Sequence, residues 1–127
     1  MRFLSVNAAR QAILVATMAA AIGAAPQTAM AHAHLDHASP AVGSVVTDAP
    51  DEVRIWFTQI LEPNFTTAQL QSSSGVVLAT GAVDAAEPKQ VVIRVHGLPS
   101  GAYMVIWKAV SIDTHRTEGS FGFEVRP

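Results

Sequence analysis

The mature part of the chain is patterned at a period of two. Val53, Ile55 and Phe57 alternate with Arg54, Trp56 and Thr58, a β-branched and aromatic run that predicts a strand with one buried face. Thr66 to Gln71 repeats the pattern with Ala68 and Leu70 inward, and Val76 to Leu78 is a short apolar strand. Val91, Ile93 and Val95 alternate with Val92, Arg94 and His96. The longest run is Ala102 to Val110, where Tyr103, Val105, Trp107 and Ala109 share a face; Ser120 to Val125 closes the chain with Phe121 and Phe123 on one side. Between these runs lie turn clusters at Ser72–Gly75 and Gly97–Gly101, and stretches expected as loops at Gly81–Lys89 and Ser111–Gly119. A first strand holding His37 ends at Ser39-Pro40 and runs into a turn at Val42–Ser44, followed by a second turn cluster at Thr47–Asp51. Beyond the first 31 residues nothing shows a helical period. Short strands separated by Gly and Pro turns predict an all-β sandwich of about seven strands.

The first residues follow a different rule. Arg2 and Arg10 precede an apolar run from Ala12 to Ala25, Pro26 interrupts it, and Ala29 and Ala31 present small side chains three and one residues before His32. This is the pattern of a cleavable export signal covering 1–31, and the run is shorter than the roughly 20 residues a membrane-spanning helix needs. The expectation is one exported domain, 32–127, in the periplasm, long enough for a single modest core.

Charge and cysteine content narrow the classes of function. Of eight basic residues two leave with the signal, so Arg54, Lys89, Arg94, Lys108, Arg116 and Arg126 face ten acidic residues. No basic cluster remains, which argues against nucleic acid. The chain has no cysteine. An exported domain of this size without disulfides is held by packing alone, and its metal ligands are limited to histidine, carboxylate, methionine and the chain terminus.

Three of the five histidines, His32, His34 and His37, fall beside the expected cleavage point. Cleavage after Ala31 makes His32 the first residue, so a free α-amine and an imidazole form a bidentate nitrogen chelate. His34 shares strand parity with His32, whereas His37 has the opposite parity, and His96 reads as a solvated turn residue. Asp113 and His115 form an Asp-x-His unit at the end of the longest strand, with both side chains on one side of the chain. A carboxylate and imidazole on a rigid element, together with an N-terminal histidine, are suited to a tetragonal N,O site and favour Cu(II) over Zn(II). Met104, the one methionine after residue 31, is expected in the core, which leaves no thioether site for Cu(I). No nucleophile elbow, phosphate loop or zinc-protease motif is present.

These residues resemble the CopC family of periplasmic copper-binding proteins. The resemblance rests on His32-Ala33-His34-Leu35 with Ser39-Pro40-Ala41, and on Ile55-Trp56-Phe57-Thr58 leading to Leu61 and Phe65. It is densest in Leu98-Pro99-x-Gly101-x-Tyr103-x-Val105-x-Trp107, Val110-Ser111-x-Asp113-Thr114-His115 and Gly119-Ser120. It implies an immunoglobulin-like, cupredoxin-like Greek-key β-sandwich with one Cu(II) per chain, bound by His32 through amine and imidazole and by Asp113 and His115. Two departures stand out. The stretch Gly75–Lys89, where many members carry methionines and a histidine for Cu(I), has neither, and Gln59 stands where some relatives have a glutamate.

The expected function is that of a monomeric, non-enzymatic Cu(II) carrier or buffer in copper homeostasis or resistance, exchanging the ion with an inner-membrane copper transporter of the CopD type. Two alternatives use the same residues differently. One is a small oxidase built on a histidine brace, for which an aspartate in the fourth position would occupy the open coordination site. The other is a structural immunoglobulin-like module with incidental histidines.

Overall fold

The computed structural model describes residues 33–127; the expected signal segment and His32 lie outside the described residues. Eight strands run in chain order: β1 (Leu35–Ser39), β2 (Val45–Val46), β3 (Glu52–Phe57), β4 (Thr67–Ser72), β5 (Val77–Val83), β6 (Gln90–Arg94), β7 (Gly101–Val110) and β8 (Arg116–Val125). No helix occurs among the described residues. The hydrogen-bonded order is β1-β3-β6-β5-β4-β7-β8-β2. β1, β3 and β6 make one layer and β4, β7, β8 and β2 the other, antiparallel throughout except for the short parallel contact of β2 with β8. The all-β sandwich expected from the alternation is the observed architecture.

The inward positions are those the period of two selects. Val53, Ile55 and Phe57 of β3 and Val91 and Ile93 of β6 meet Ala68 and Leu70 of β4, Val105 and Trp107 of β7 and Phe121 and Phe123 of β8 in one core. Phe57 packs edge-on against Trp107 across the layers, ring centroids 5.1 Å apart at 77°. Tyr103 stacks on Phe123, and its hydroxyl donates to the carbonyl of Pro99, pinning the turn that feeds β7.

Two strands and one side chain differ from expectation, each for a local reason, and β2 is an additional strand. The segment Gly81–Val83, expected as loop, continues β5. Its first part pairs with β4 (Ala68↔Gly81), its last two residues with β6 (Ala82↔Val92, Val83↔Val91), so the strand passes from one layer to the other at Gly81. A Cβ there would stand 2.5 Å from Ile93 Cγ1 and 2.7 Å from the Val92 carbonyl oxygen, so the close approach requires glycine. The second is β8, which begins at Arg116 rather than Ser120, because Lys108 faces Glu118 across the ladder and Gly119 lies beneath the Trp107 indole. Third, Met104 is not in the core: it sits on the outward face of β7, 42% exposed, because that strand's inward parity belongs to Tyr103, Val105 and Trp107. β2, two residues long, was too short to show a period.

Two substitutions test this packing. Gly81→Ala is expected to destabilise the fold by about 1–3 kcal/mol, since the carbonyl it meets cannot rotate away. Met104→Gln is expected to change stability by less than about 0.5 kcal/mol, as at other exposed positions. Urea midpoints at unchanged slope measure both. A costly Met104→Gln would put that side chain back in the core.

Candidate metal centre

The β7–β8 hairpin pairs without interruption from Gly101↔Val125 to Val110↔Arg116, so the five residues Ser111–His115 must reverse the chain at its end. They do so as a hydrogen-bonded turn: the Ser111 amide donates to the His115 carbonyl (3.0 Å) and the Thr114 amide to the Ser111 carbonyl (2.8 Å). Thr114 takes φ = 71°, the left-handed region, which costs a β-branched residue energy and marks a backbone held by its surroundings. A bridge between Leu61 and Ser111, and a bond from the Ile112 amide to the Ile60 carbonyl, tie the turn to the chain leaving β3.

This turn brings Asp113 and His115 together. Asp113 Oδ2 lies 3.1 Å from His115 Nδ1. The expected neighbourhood is therefore observed, but its cause is the left-handed residue between them and not strand parity. The other carboxylate oxygen accepts from the hydroxyl of buried Ser111. That hydrogen bond first, and the His115 imidazole second, hold the Asp113 carboxyl below the usual carboxylate range. The carboxylate is thus ionised at neutral pH, both side chains are partly exposed, and neither must be dragged from the core to reach an ion. Two donors bound in adjacent positions to one first-row metal at roughly 2.0–2.1 Å stand about 2.9 Å apart, close to the separation observed.

Residues 33 and 34 lie at the same end of the sandwich as this pair. Ala33 is fully buried, and its carbonyl accepts from Thr117 Oγ1 at 2.5 Å, two residues after His115. The His34 amide donates to Thr58 Oγ1 (3.0 Å), and the Thr58 amide donates back to the His34 carbonyl (2.9 Å). Thr58 follows β3 and Thr117 belongs to β8, so residues 33 and 34 are fastened to both layers.

The remaining histidines divide as follows. The His34 side chain is exposed; His96 is exposed in the turn after β6. His37 stacks on Trp56 with centroids 4.3 Å apart at 12°, its Nδ1 2.8 Å from Asp36 Oδ2. A register shift in β1 between Leu35 and His37 removes the simple parity argument made for it. Among the described residues no group of three or more His, Cys, Asp or Glu is placed to hold a metal; Asp113 and His115 stand together as a pair. His32, the expected other ligand, lies outside the described residues. Sequence reasoning missed the parts played by Ser111, Thr58 and Thr117. The spacing Ser-x-Asp was a signal for the first; the threonines act through tertiary contacts that leave no local pattern.

The described residues thus form a mainly antiparallel sandwich with a carboxylate–imidazole turn at one end, near residues 33 and 34. The CopC domain family matches residues 35–126, and the chain belongs to the CopC family. It is 35% identical over 108 residues to the copper resistance protein C of Escherichia coli, covering 78% of this chain and 85% of that one. Its fold is similar to the crystal structure of CopC from Methylosinus trichosporium OB3b, with a TM-score of 0.71 at 28% identity over 76% of this chain and 95% of that one. PcoC, a methionine-rich copper resistance protein from Escherichia coli, is similar with a TM-score of 0.67 at 35% identity, over 76% of this chain and all of that one.

Removing the Ser111 hydroxyl should release the Asp113 carboxyl toward its ordinary value near ~3.9. Because the folded-state value is the lower one, the stability this carboxylate contributes is present above the unfolded-state value and lost as pH falls through the folded one. Ser111→Ala should therefore raise the Asp113 titration midpoint seen by NMR and shrink the part of the acid destabilisation that this carboxylate contributes. An unchanged midpoint would remove Ser111 from the site.

Proposed function

We propose that this chain is a Cu(II)-binding carrier or buffer, exported to the periplasm by a cleaved signal spanning 1–31, which exchanges one copper ion with an inner-membrane transporter of the CopD type. The observation that carries the reading is the Asp113–His115 pair, an ionised carboxylate and an imidazole 3.1 Å apart on a hydrogen-bonded turn. Beside it, the fastening of Ala33 and His34 to Thr117 and Thr58 brings the chain next to His32 to the same end of the sandwich. His32 would supply its α-amine and imidazole; Asp113 and His115 would supply one oxygen and one nitrogen. Such a set of borderline N and O donors matches the tetragonal preference of Cu(II). The names of the copper resistance relatives support copper as the ion.

The ion is cargo in this reading, not a catalyst. An ionised Asp113 fills a coordination position that an oxygen-activating centre would keep open, which favours carriage over oxidation by a histidine brace. The acidic balance of the domain fits a protein that does not bind nucleic acid, and the protein works as a monomer. Exposure of the pair allows transfer to a partner without unfolding. Binding requires the amine and imidazole nitrogens without their protons, so protons compete with the ion and affinity falls as pH is lowered, while the Asp113 carboxyl, held below the usual carboxylate range, stays ionised.

Titrating Cu(II) into the processed protein, followed by electron spin resonance and Trp56 and Trp107 fluorescence, is expected to show one equivalent in a tetragonal N,O site. His115→Ala, and a form with one extra residue before His32, should each bind at least ~10-fold more weakly. Equal affinity in the extended form would overturn the N-terminal half of the site. Sustained oxygen consumption with ascorbate would favour the oxidase.

A further inference from the structure

If the chain is cut before His32, the sequence His32-Ala33-His34 offers a second way to bind copper that would compete with the Asp113–His115 pair. A free amine followed by any residue and then histidine can wrap a metal in a plane of four nitrogens: the amine, two peptide nitrogens and the imidazole of the third residue. Cleavage before His32 creates that arrangement in His32-Ala33-His34. Wrapping requires the Ala33 and His34 amides to lose their protons to solvent and to turn toward one metal. It suits Cu(II) and also Ni(II), since both accept square-planar nitrogen donors.

In the folded chain this turn is opposed at three points. The His34 amide proton, which the chelate must remove, is donated to Thr58 Oγ1 at 3.0 Å. The His34 carbonyl is held by the Thr58 amide at 2.9 Å, so the residue is fixed from both sides of its backbone. The Ala33 carbonyl is held by Thr117 Oγ1, and the Ala33 methyl is wholly buried. Residues 33 and 34 cannot curl around a metal without giving up these bonds and exposing Ala33.

We infer that Thr58 and Thr117 are positioning residues that hold residues 33–34 uncurled, close the peptide-nitrogen chelate and thereby direct Cu(II) to Asp113 and His115 while disfavouring Ni(II). The inference rests on the proposed copper function. Neither threonine touches the ion: Thr117 acts from β8, two residues beyond His115, and Thr58 acts from the end of β3. The discrimination is a property of the folded chain, so an unstructured peptide of the same first residues would lack it.

The test loads the processed protein, Thr58→Val, Thr117→Val, the double variant and Thr117→Ser with Cu(II) and separately with Ni(II). Circular dichroism of the metal bands and spin resonance distinguish deprotonated peptide nitrogen from an imidazole–carboxylate site. Wild type and Thr117→Ser are expected to show no peptide-nitrogen signature with Cu(II) and weak Ni(II) binding. Each valine variant should shift the balance toward the chelate by about five- to tenfold, the effect of one hydrogen bond, and a further His34→Ala change should abolish the new signature. Amide spectra of each metal-free variant establish that it is folded. A folded double variant that keeps the wild-type spectra, or a wild type that already shows the peptide signature, overturns the inference. The copper reading has its own failure: wild-type Cu(II) binding that His115→Ala leaves untouched.

Discussion

The β7–β8 ladder is the constraint on which the candidate site depends. Ten consecutive cross-strand pairs leave no freedom in where the chain reverses, and Val105, Trp107, Phe121 and Phe123, buried from these two strands, make a slip by one residue prohibitive. The turn Ser111–His115 is therefore delivered to one place, and Thr114 is held left-handed because the flanking strands determine both ends. A loop of the same composition on a looser hairpin would leave Asp113 and His115 free to separate. Here the position of the carboxylate–imidazole pair is set by burial elsewhere.

A second layer of constraint comes from the way the two layers are joined. β5 changes partners at Gly81, and the N-terminal segment is fastened to Thr58 on one side and Thr117 on the other. Both junctions bring together residues distant in sequence, and both depend on small groups, a missing side chain at 81 and a methyl at 33. The Asp113–His115 pair itself contributes little to stability, being exposed. Apolar alternation holds the sandwich, while a few hydroxyls and a carboxylate order the turn and the chain at its end.

How far the sequence revealed this varied with how directly each feature was written in local pattern. β3, β4, β6 and β7 were legible because each buries one face and exposes the other. The continuation of β5 through Gly81-Ala82-Val83 was not, since small residues carry no period of hydrophobicity. The first half of β8 was polar and read as loop, although Lys108 and Glu118 facing each other hold it in the ladder. Met104 was misplaced because an apolar residue in a strand was assumed to point inward, when parity with Tyr103 and Val105 sends it out. Asp113 and His115 were visible as a motif, but the left-handed Thr114 that joins them was not. Thr58 and Thr117 were ordinary threonines until the fold placed them beside His34 and Ala33.

The central claim is that the processed N-terminus and the β7–β8 turn are two halves of one copper site. A crystal structure of the processed, Cu(II)-loaded protein, with anomalous scattering collected at the copper edge, tests this most directly. The account predicts one peak bonded to the amine and imidazole of His32, to Asp113 and to His115, with the His34 amide still donating to Thr58. A peak held by His34, by His37 with Asp36, or by His96 in place of that pair would contradict it.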